Sequence, residues 1–283
     1  MNDLAEWLDE WCAEVPGLAR QADGLWTGRT EAEISYPESG HDTLAEIEAR
    51  SFWFTHRNAV IASIAARFPP QGPIFDIGGG NGFVSLGLAQ AGLASIVVEP
   101  GAVGASNARA RGLAVIQTAF ESLSVPAGSL PAAGLFDVLE HIEDDRGTLE
   151  RLHDALGPDG KLYLTVPAHR WLWSQQDTHS GHFRRYSLPG LRALLEDTGF
   201  AVEFDSYFFS VLVPAVFAFR TLPSLFGRGA KTDPAEQQSD HALPSGLSGR
   251  IVGALLERER RLISSGASRR TPGTSCLVAA RRV

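Results

Sequence analysis

Phe75-Asp76-Ile77-Gly78-Gly79-Gly80-Asn81-Gly82-Phe83 is the stretch that decides the fold. A short apolar run over residues 73–77 delivers an acidic side chain into a glycine cluster, and an apolar pattern resumes over 83–91 with helical spacing. The reading is strand, tight turn, helix. Glycines at 78, 80 and 82 allow a sharp bend without a Cβ clash and bring bare backbone close to a ligand. The helix start behind them offers unpaired N–H groups and the positive end of a dipole. The dinucleotide pattern G-x-G-x-x-G, read from Gly78 and Gly80, needs a third glycine at 83, where Phe83 stands. The run is instead an acid, one spacer, then G-x-G-x-G.

Working outward, strands and helices alternate. Strands are expected at 95–98, 114–117, 132–136 and 161–166, with helices at 103–111 and 146–156 between them. The turn Gly157-Pro158-Asp159-Gly160 ends the second of these helices. A helix over 189–198 stopping at Gly199, a sixth strand over 200–208, a helix over 251–263 and a last strand over 274–280 complete the series. The lead carries three expected helices. The first holds Leu4, Trp7, Leu8 and Trp11 on one face, the second follows Asp42-Thr43 with Leu44 and Ile47, and the third spans 58–68, ending at Pro69-Pro70. Between the first two, residues 17–42 read as irregular. The expected fold class is α/β: a Rossmann-like, mostly parallel sheet of about seven strands with helices on both faces, an N-terminal helical lead and a helical insertion before the last strand. The expected division is 1–70 as lead and lid, then 71–283 as the main domain with an insertion over about 210–270.

The glycine run resembles the first motif of class I S-adenosylmethionine-dependent methyltransferases, and the segments after it extend the resemblance. Glu99 closes the second strand, where that family places an acid that binds both ribose hydroxyls; a carboxylate accepts two hydrogen bonds at once. Leu135-Phe136-Asp137-Val138-Leu139-Glu140-His141-Ile142 looks like the fourth-strand segment of the small-molecule branch, and Gly160-Lys161-Leu162-Tyr163-Leu164-Thr165-Val166-Pro167 like the fifth strand. The resemblance covers 74–208 and, more loosely, 273–281. It implies S-adenosylmethionine as cofactor and S-adenosylhomocysteine as product. Gly78, Gly79, Gly80, Asn81 and Gly82 would line the methionine and ribose portion, with Asp76 organising the loop, and Glu99 followed by Pro100 would hold the ribose. Asp137 belongs to the same cofactor set. Ala119, Phe120 and Glu121 would flank the adenine. Many family members carry Asp where Ala119 stands, so adenine recognition would shift to Phe120 or Glu121, unless Phe120 is plain core and Glu121 solvated.

Two segments are candidate walls for a methyl acceptor: Phe52-Trp53-Phe54-Thr55-His56-Arg57-Asn58, and the loop running from Trp171 and Trp173 through Asp177, His179, His182 and Phe183 to Arg184-Arg185-Tyr186. Both resemble a bacterial methyltransferase subgroup with an aromatic-Arg lead and a His-x-Arg-Arg-Tyr loop. The loop begins at the carboxyl end of a strand, where α/β sheets bind ligands. Trp53, Arg57, Trp173, Asp177, Arg185 and Tyr186 are the candidate substrate contacts, the alternative being that the aromatics pack helices and the arginines brace the loop through Asp177. His56 reads as a surface residue. His141 and His182 are the candidate catalytic bases, or otherwise a strand cap and a loop anchor. Linear metal-ligand spacings are missing, so a metal-independent enzyme is expected.

Composition bounds the rest. Over 283 residues, 44% hydrophobic content supports a full core. Twenty-five basic against 33 acidic residues leave a net charge of -8, which repels nucleic acid, and the basic clusters are short. Two distant cysteines, Cys12 and Cys276, form neither a disulfide framework nor a ligand set. An acidic start without a leader pattern reads as cytoplasmic. Residues 210–226 are strongly apolar but are interrupted by Pro214, Arg220 and Pro223, so a buried or interfacial helix is expected rather than a span. Residues 227–248 read as a mobile linker. The leading expectation is methyl transfer to oxygen of a small or lipid-linked acceptor, with peripheral membrane contact through 210–226. N- or C-methylation and a non-catalytic adenosyl-binding role remain open.

Overall fold

The structure, a computed structural model, describes residues 2–30, 51–226 and 246–283. The expected helix around Leu44 and Ile47, and all of the 227–248 linker except its last three residues, lie outside the described residues.

Nine strands form one sheet: β1 (Ala19–Arg20), β2 (Trp26–Thr27), β3 (Ile74–Ile77), β4 (Ser95–Val98), β5 (Ala114–Gln117), β6 (Leu130–Phe136), β7 (Leu156–Pro167), β8 (Phe200–Phe208) and β9 (Ser275–Arg282). Their order is β1-β2-β5-β4-β3-β6-β7-β9-β8. From β2 to β7 the pairings are parallel; β9 then inserts antiparallel between β7 and β8. The sheet is Rossmann-like and mostly parallel, as expected, with nine strands rather than about seven. The excess lies at the β5 edge, where Trp26 pairs with Ile116 and β1 folds back antiparallel on β2. Two-residue strands carry no readable period, so the segment read as irregular.

The described α-helices longer than one turn are α1 (Asn2–Glu14), α2 (Phe52–Arg67), α3 (Phe83–Gln90), α4 (Ala102–Ala110), α5 (Asp145–Ala155), α6 (Gln175–His179), α7 (Leu188–Asp197) and α8 (Leu247–Ser264). They cover both faces of the sheet. Phe75, Ile77, Ile96 and Val98 point into one core cluster with Leu8 and Trp11 of α1, Leu149 and Leu152 of α5, and Leu191 and Leu195 of α7. Ile74 points the other way, into a cluster with Val60, Ile61 and Ile64 of α2, Leu88 of α3 and Leu256 of α8. That alternation along β3 is the period of two expected of a strand buried on both faces.

Three boundaries differ from the sequence reading. Helix α2 begins six residues before the expected start, because Ser51 caps it: its Oγ accepts from the N–H of Trp53 at 3.2 Å and of Phe54 at 3.5 Å. The aromatic-Arg lead is therefore the first turns of a helix. The 157–160 turn is absorbed into β7 as a bulge, since Leu130 pairs with Leu156 but Ala132 with Lys161. The apolar 210–226 stretch, expected as a helix, is helical without a break over 213–225 but distorted in its middle, a π-turn over Phe217–Thr221 lying between the α-helical Val213–Val216 and Leu222–Leu225, which hold Pro214 and Pro223 in their first turns. No described helix is long and apolar enough to cross a membrane.

Candidate active site

Strand β3 lies at the centre of the parallel run; the chain moves from it to β4 and β5 on one side, then reverses to β6 and β7 on the other. Such a reversal opens a crevice beyond the strands' carboxyl ends. The glycine loop sits there. Gly78, Gly80 and Gly82 all have positive φ, at 68°, 52° and 79°. Gly82 is the helix cap and is tightly enclosed: an added Cβ would lie 2.5 Å from Leu113 Cδ1 and 2.9 Å from Ala108 Cβ. At Gly80 the same atom would meet nothing within 4 Å. The cluster thus has one face sealed by protein and one facing open space, which is the form a backbone cradle requires.

Glu99, buried at the end of β4, fastens this loop. Its Oε2 accepts from Gly80 N at 2.9 Å and its Oε1 from Gly101 N at 2.7 Å. Both carboxylate oxygens are thus engaged by the backbone of the cradle. Pro100 passes between Glu99 and the start of α4, and Gly104 of that helix is a residue sequence reasoning missed: a Cβ there would lie 3.2 Å from both Glu99 Cγ and the Gly80 backbone. Asp76 sits under the loop, accepting from Ser85 Oγ at 2.8 Å. Burial pushes its carboxyl up to about 6, partly opposed by the Ser85 hydrogen bond and by Arg57, and reinforced by Glu99. Asn81 is buried and accepts from Asn107 Nδ2 at 3.0 Å. These contacts keep the cradle in shape before any ligand arrives.

Beyond β6, Asp137 turns the chain with φ 60°. Arg57 reaches it from α2 with a 2.5 Å contact and lies over the Trp53 and Phe54 rings at 5.1 and 5.0 Å. Trp53 itself stacks on Phe209 at 5.3 Å. At the β5 end, Ala119 and Phe120 are buried and Phe120 belongs to the main core cluster, while Glu121 is exposed. A surface depression lined by Phe120, Glu121, Ile142 and Arg151 contains none of the glycine loop, Glu99 or Asp137.

The 167–186 loop is held by its own polar network. Asp177, 2% exposed, accepts from Arg185 at 2.7 and 3.1 Å, from the Ser174 N–H at 2.8 Å, and bonds His182 Nδ1 at 3.0 Å. Tyr186 donates to Asp145 at 2.9 Å, and Trp173, half-buried, donates to Thr178 at 3.3 Å. Arg185 and Asp177 are thus paired with each other within the loop. Arg184 pairs with Asp145 at 2.8 Å rather than with Asp177. The loop is stitched to the β6 end by Phe183 N donating to Glu140 O at 2.8 Å. That stitch brings His182 to His141, ring centroids 4.7 Å apart and near perpendicular.

Glu140, which sequence reasoning passed over, completes a cluster. It is buried, its Oε2 has no hydrogen-bond partner, and the same holds for His141 Nδ1. One ligand-capable atom from each of Glu140, His141 and His182 lies within 4.8 Å of the others. Burial holds the Glu140 carboxyl well above its usual range, with the charge of Asp137 adding to the effect. Burial also lowers His141 to about 4, with His182 contributing. His56 corrects an expectation: it is buried, not on the surface, and meets Glu259 of α8 at 3.3 Å. Glu259 also accepts the Phe209 and Ser210 N–H groups at 2.6 and 3.1 Å, tying α8 to the start of the 210–226 arc.

Sheet order, glycine cradle and strand-end carboxylate together define an α/β protein of the Rossmann-like kind with a backbone cradle at its strand reversal. The methyltransferase domain family matches residues 50–203, more than half of the chain, and the chain belongs to that family. A Mycobacterium tuberculosis protein described as a probable S-adenosylmethionine-dependent methyltransferase is 24% identical over 195 residues, covering 67% of this chain and 71% of that one. Among solved structures, Haemonchus contortus phosphoethanolamine N-methyltransferase 2 with S-adenosyl-L-methionine superposes at TM-score 0.55 and 16% identity, over 88% of this chain and 58% of the other. The [4+2]-cyclase SpnF does so at TM-score 0.56 and 18% identity, over 87% and 93%. Those two likenesses establish the fold; family membership identifies an enzyme with S-adenosylmethionine as its cofactor. The open side of Gly80, beside the carboxylate of Glu99 that bonds its backbone N–H, fits that group.

Proposed function

We propose that the enzyme methylates an oxygen of a small or lipid-linked acceptor bound between the glycine loop and the 167–186 loop. The observation that carries this reading is the meeting of His141 and His182 beyond β6, with ring centroids 4.7 Å apart. A hydroxyl is a poor nucleophile until its proton is engaged, and an imidazole nitrogen of this pair would accept that proton's hydrogen bond. Glu99 and the backbone of 78–82 would hold the cofactor, Asp76 supporting the loop from beneath. Bound S-adenosylmethionine supplies an electrophilic sulfonium methyl. The protein's remaining task is alignment of the two partners and exclusion of water. Trp53 and Trp173 stand at the margins of the acceptor space, and Arg57 holds Asp137 in place.

The lipid-linked part of the proposal rests on the 210–226 arc. It is tied to the acceptor loop by two hydrogen bonds: Gln175 N to Ser224 Oγ at 3.0 Å, and Thr221 Oγ1 to Leu172 O at 3.1 Å. Its outer side carries Phe219, Leu225 and Phe226, each at least 70% exposed, the arrangement of a surface that touches an apolar phase.

The test of oxygen transfer is incubation with methyl-labelled cofactor and a fractionated metabolite and lipid extract, followed by identification of the labelled product. An O-methyl product supports the proposal. A labelled N- or C-methyl product removes it, as does binding of S-adenosylhomocysteine without transfer to any fraction.

A further inference from the structure

We propose that Glu140, His141 and His182 form a binding site for one divalent transition-metal cation. The donor set comes from two chain segments that meet beyond β6. Glu140 and His141 lie on the short turn Leu139–His141, and His182 lies on the loop stitched to it by the Phe183–Glu140 backbone hydrogen bond. Linear spacing could not reveal it, which is why the sequence reads as metal-independent.

Three features favour a cation over a purely structural cluster. The first is the deficit of partners. Glu140 is 1% exposed with Oε2 unbonded, and His141 Nδ1 is buried and unbonded beside it. A buried carboxylate oxygen without a partner costs free energy that folded proteins ordinarily avoid. A dication supplies the missing partner to both atoms at once.

The second is the orientation of His182. Its Nδ1 is engaged by Asp177 at 3.0 Å, and Asp177 is itself fixed by Arg185 and Ser174. A carboxylate on one ring nitrogen orients the imidazole and raises the basicity of the other, the arrangement that supports histidine ligands in metal sites. His182 Nε2 is then the ligating atom.

The third is spacing. Metal–ligand bonds of about 2.0–2.2 Å put opposite ligands up to about 4.4 Å apart. One ligand-capable atom from each of the three residues already lies within 4.8 Å of the others, so ring and carboxylate rotations would close the site. Two nitrogens and one oxygen suit Zn²⁺, Mn²⁺, Fe²⁺ or Co²⁺ rather than the all-oxygen preference of Ca²⁺ or Mg²⁺. Three protein ligands leave coordination positions open, as in catalytic rather than structural sites. Those positions would be available to an acceptor oxygen, and the bound cation would then take over from the imidazole nitrogen the task of engaging the acceptor's hydroxyl. Cation binding itself does not depend on the nature of that acceptor.

The experiment is calorimetric titration of the chelator-treated full-length chain with Zn²⁺ in excess Mg²⁺, together with the visible absorption of the Co²⁺ form. We expect one saturable equivalent. Glu140→Gln and His182→Ala should each weaken it at least tenfold, and Asp177→Asn about tenfold through the outer contact. The affinity of each variant for S-adenosylhomocysteine, read on the same samples, should stay within about twofold and reports an intact fold. Should Glu140→Gln fail to fold, His182→Ala, on the half-buried loop, decides alone. No saturable uptake by the wild type, or equal uptake by the variants, overturns the proposal. Failure of the oxygen-methylation reading leaves this result untouched, because no turnover enters it.

Discussion

Arg57 and Asp137, joined at 2.5 Å, connect the helix that precedes β3 to the residue that leaves strand β6. The guanidinium is held over Trp53 and Phe54, and its side chain is 8% exposed against 20% for its partner. Breaking a largely buried pair leaves one charge uncompensated. Arg57→Ala should therefore cost about 2–3 kcal/mol in urea unfolding, and Arg57→Lys should recover only part of it, because an ammonium lacks the planar fork that stacks on the two rings. A double-mutant cycle with Asp137→Asn measures the coupling. Additive losses would show that the two residues act independently.

Glu99 is tied to two backbone N–H groups, and the proposal gives it two sugar hydroxyls as well. Glu99→Ala should weaken S-adenosylhomocysteine binding by about 1.5–3 kcal/mol and lower the Tm, since Gly80 and Gly101 lose their acceptor. Glu99→Gln keeps one acceptor oxygen and should fall between. Unchanged calorimetric affinity in both variants would remove Glu99 from the ribose.

The sequence was most legible where local rules and tertiary context agree. Strands β4, β5 and β8 fall on the expected residues because short apolar runs between turn signals have little alternative in an α/β chain. The glycine loop announces itself through φ requirements that only glycine meets cheaply. What escaped was set by long-range partners. His56 reads as a surface residue until Glu259, 203 positions later, is folded onto it. Glu140 has no meaning as a ligand until the loop brings His182 beside it. The aromatic-Arg lead was visible as a motif, but Ser51 as its cap was not, because a single serine before an aromatic run is a weak helix signal.

Asp76 gives stability a defined pH dependence. Its carboxyl titrates near 6 in the folded state against 3.8 ordinarily, chiefly through burial. Between those values the folded chain binds the extra proton, so the contribution of this group is fully present below about pH 3.8 and is lost as pH rises through 6. The span corresponds to about 3 kcal/mol. Asp76→Asn should flatten that part of the Tm profile between pH 4 and 7 relative to the wild type. A parallel profile would show that Asp76 ionises normally.

The exposed side chains of the 210–226 arc make the lipid reading measurable. Wild type should co-sediment with liposomes, and a Phe219→Ser, Leu225→Ser, Phe226→Ser triple variant should not, with cofactor affinity retained because none of the three lies at the glycine loop. Equal recovery of both proteins in the supernatant, whatever the lipid composition, would confine the acceptor to water-soluble molecules.

Gly80 and Gly82 separate the cradle's binding face from its structural face. Both have positive φ, so alanine at either pays a left-handed strain of about 1–2 kcal/mol. At Gly82 the added methyl also collides with Leu113 and Ala108, and the helix that follows must shift. Gly82→Ala should therefore lose several degrees of Tm whether or not ligand is present. At Gly80 the methyl enters open space, so Gly80→Ala should lose only the strain energy in stability yet weaken S-adenosylhomocysteine at least tenfold, because the methyl occupies room the ligand needs. Thermal melts and calorimetry on the two variants test this directly. If Gly80→Ala bound the cofactor product as the wild type does, the open side of the loop would not be where that ligand lies.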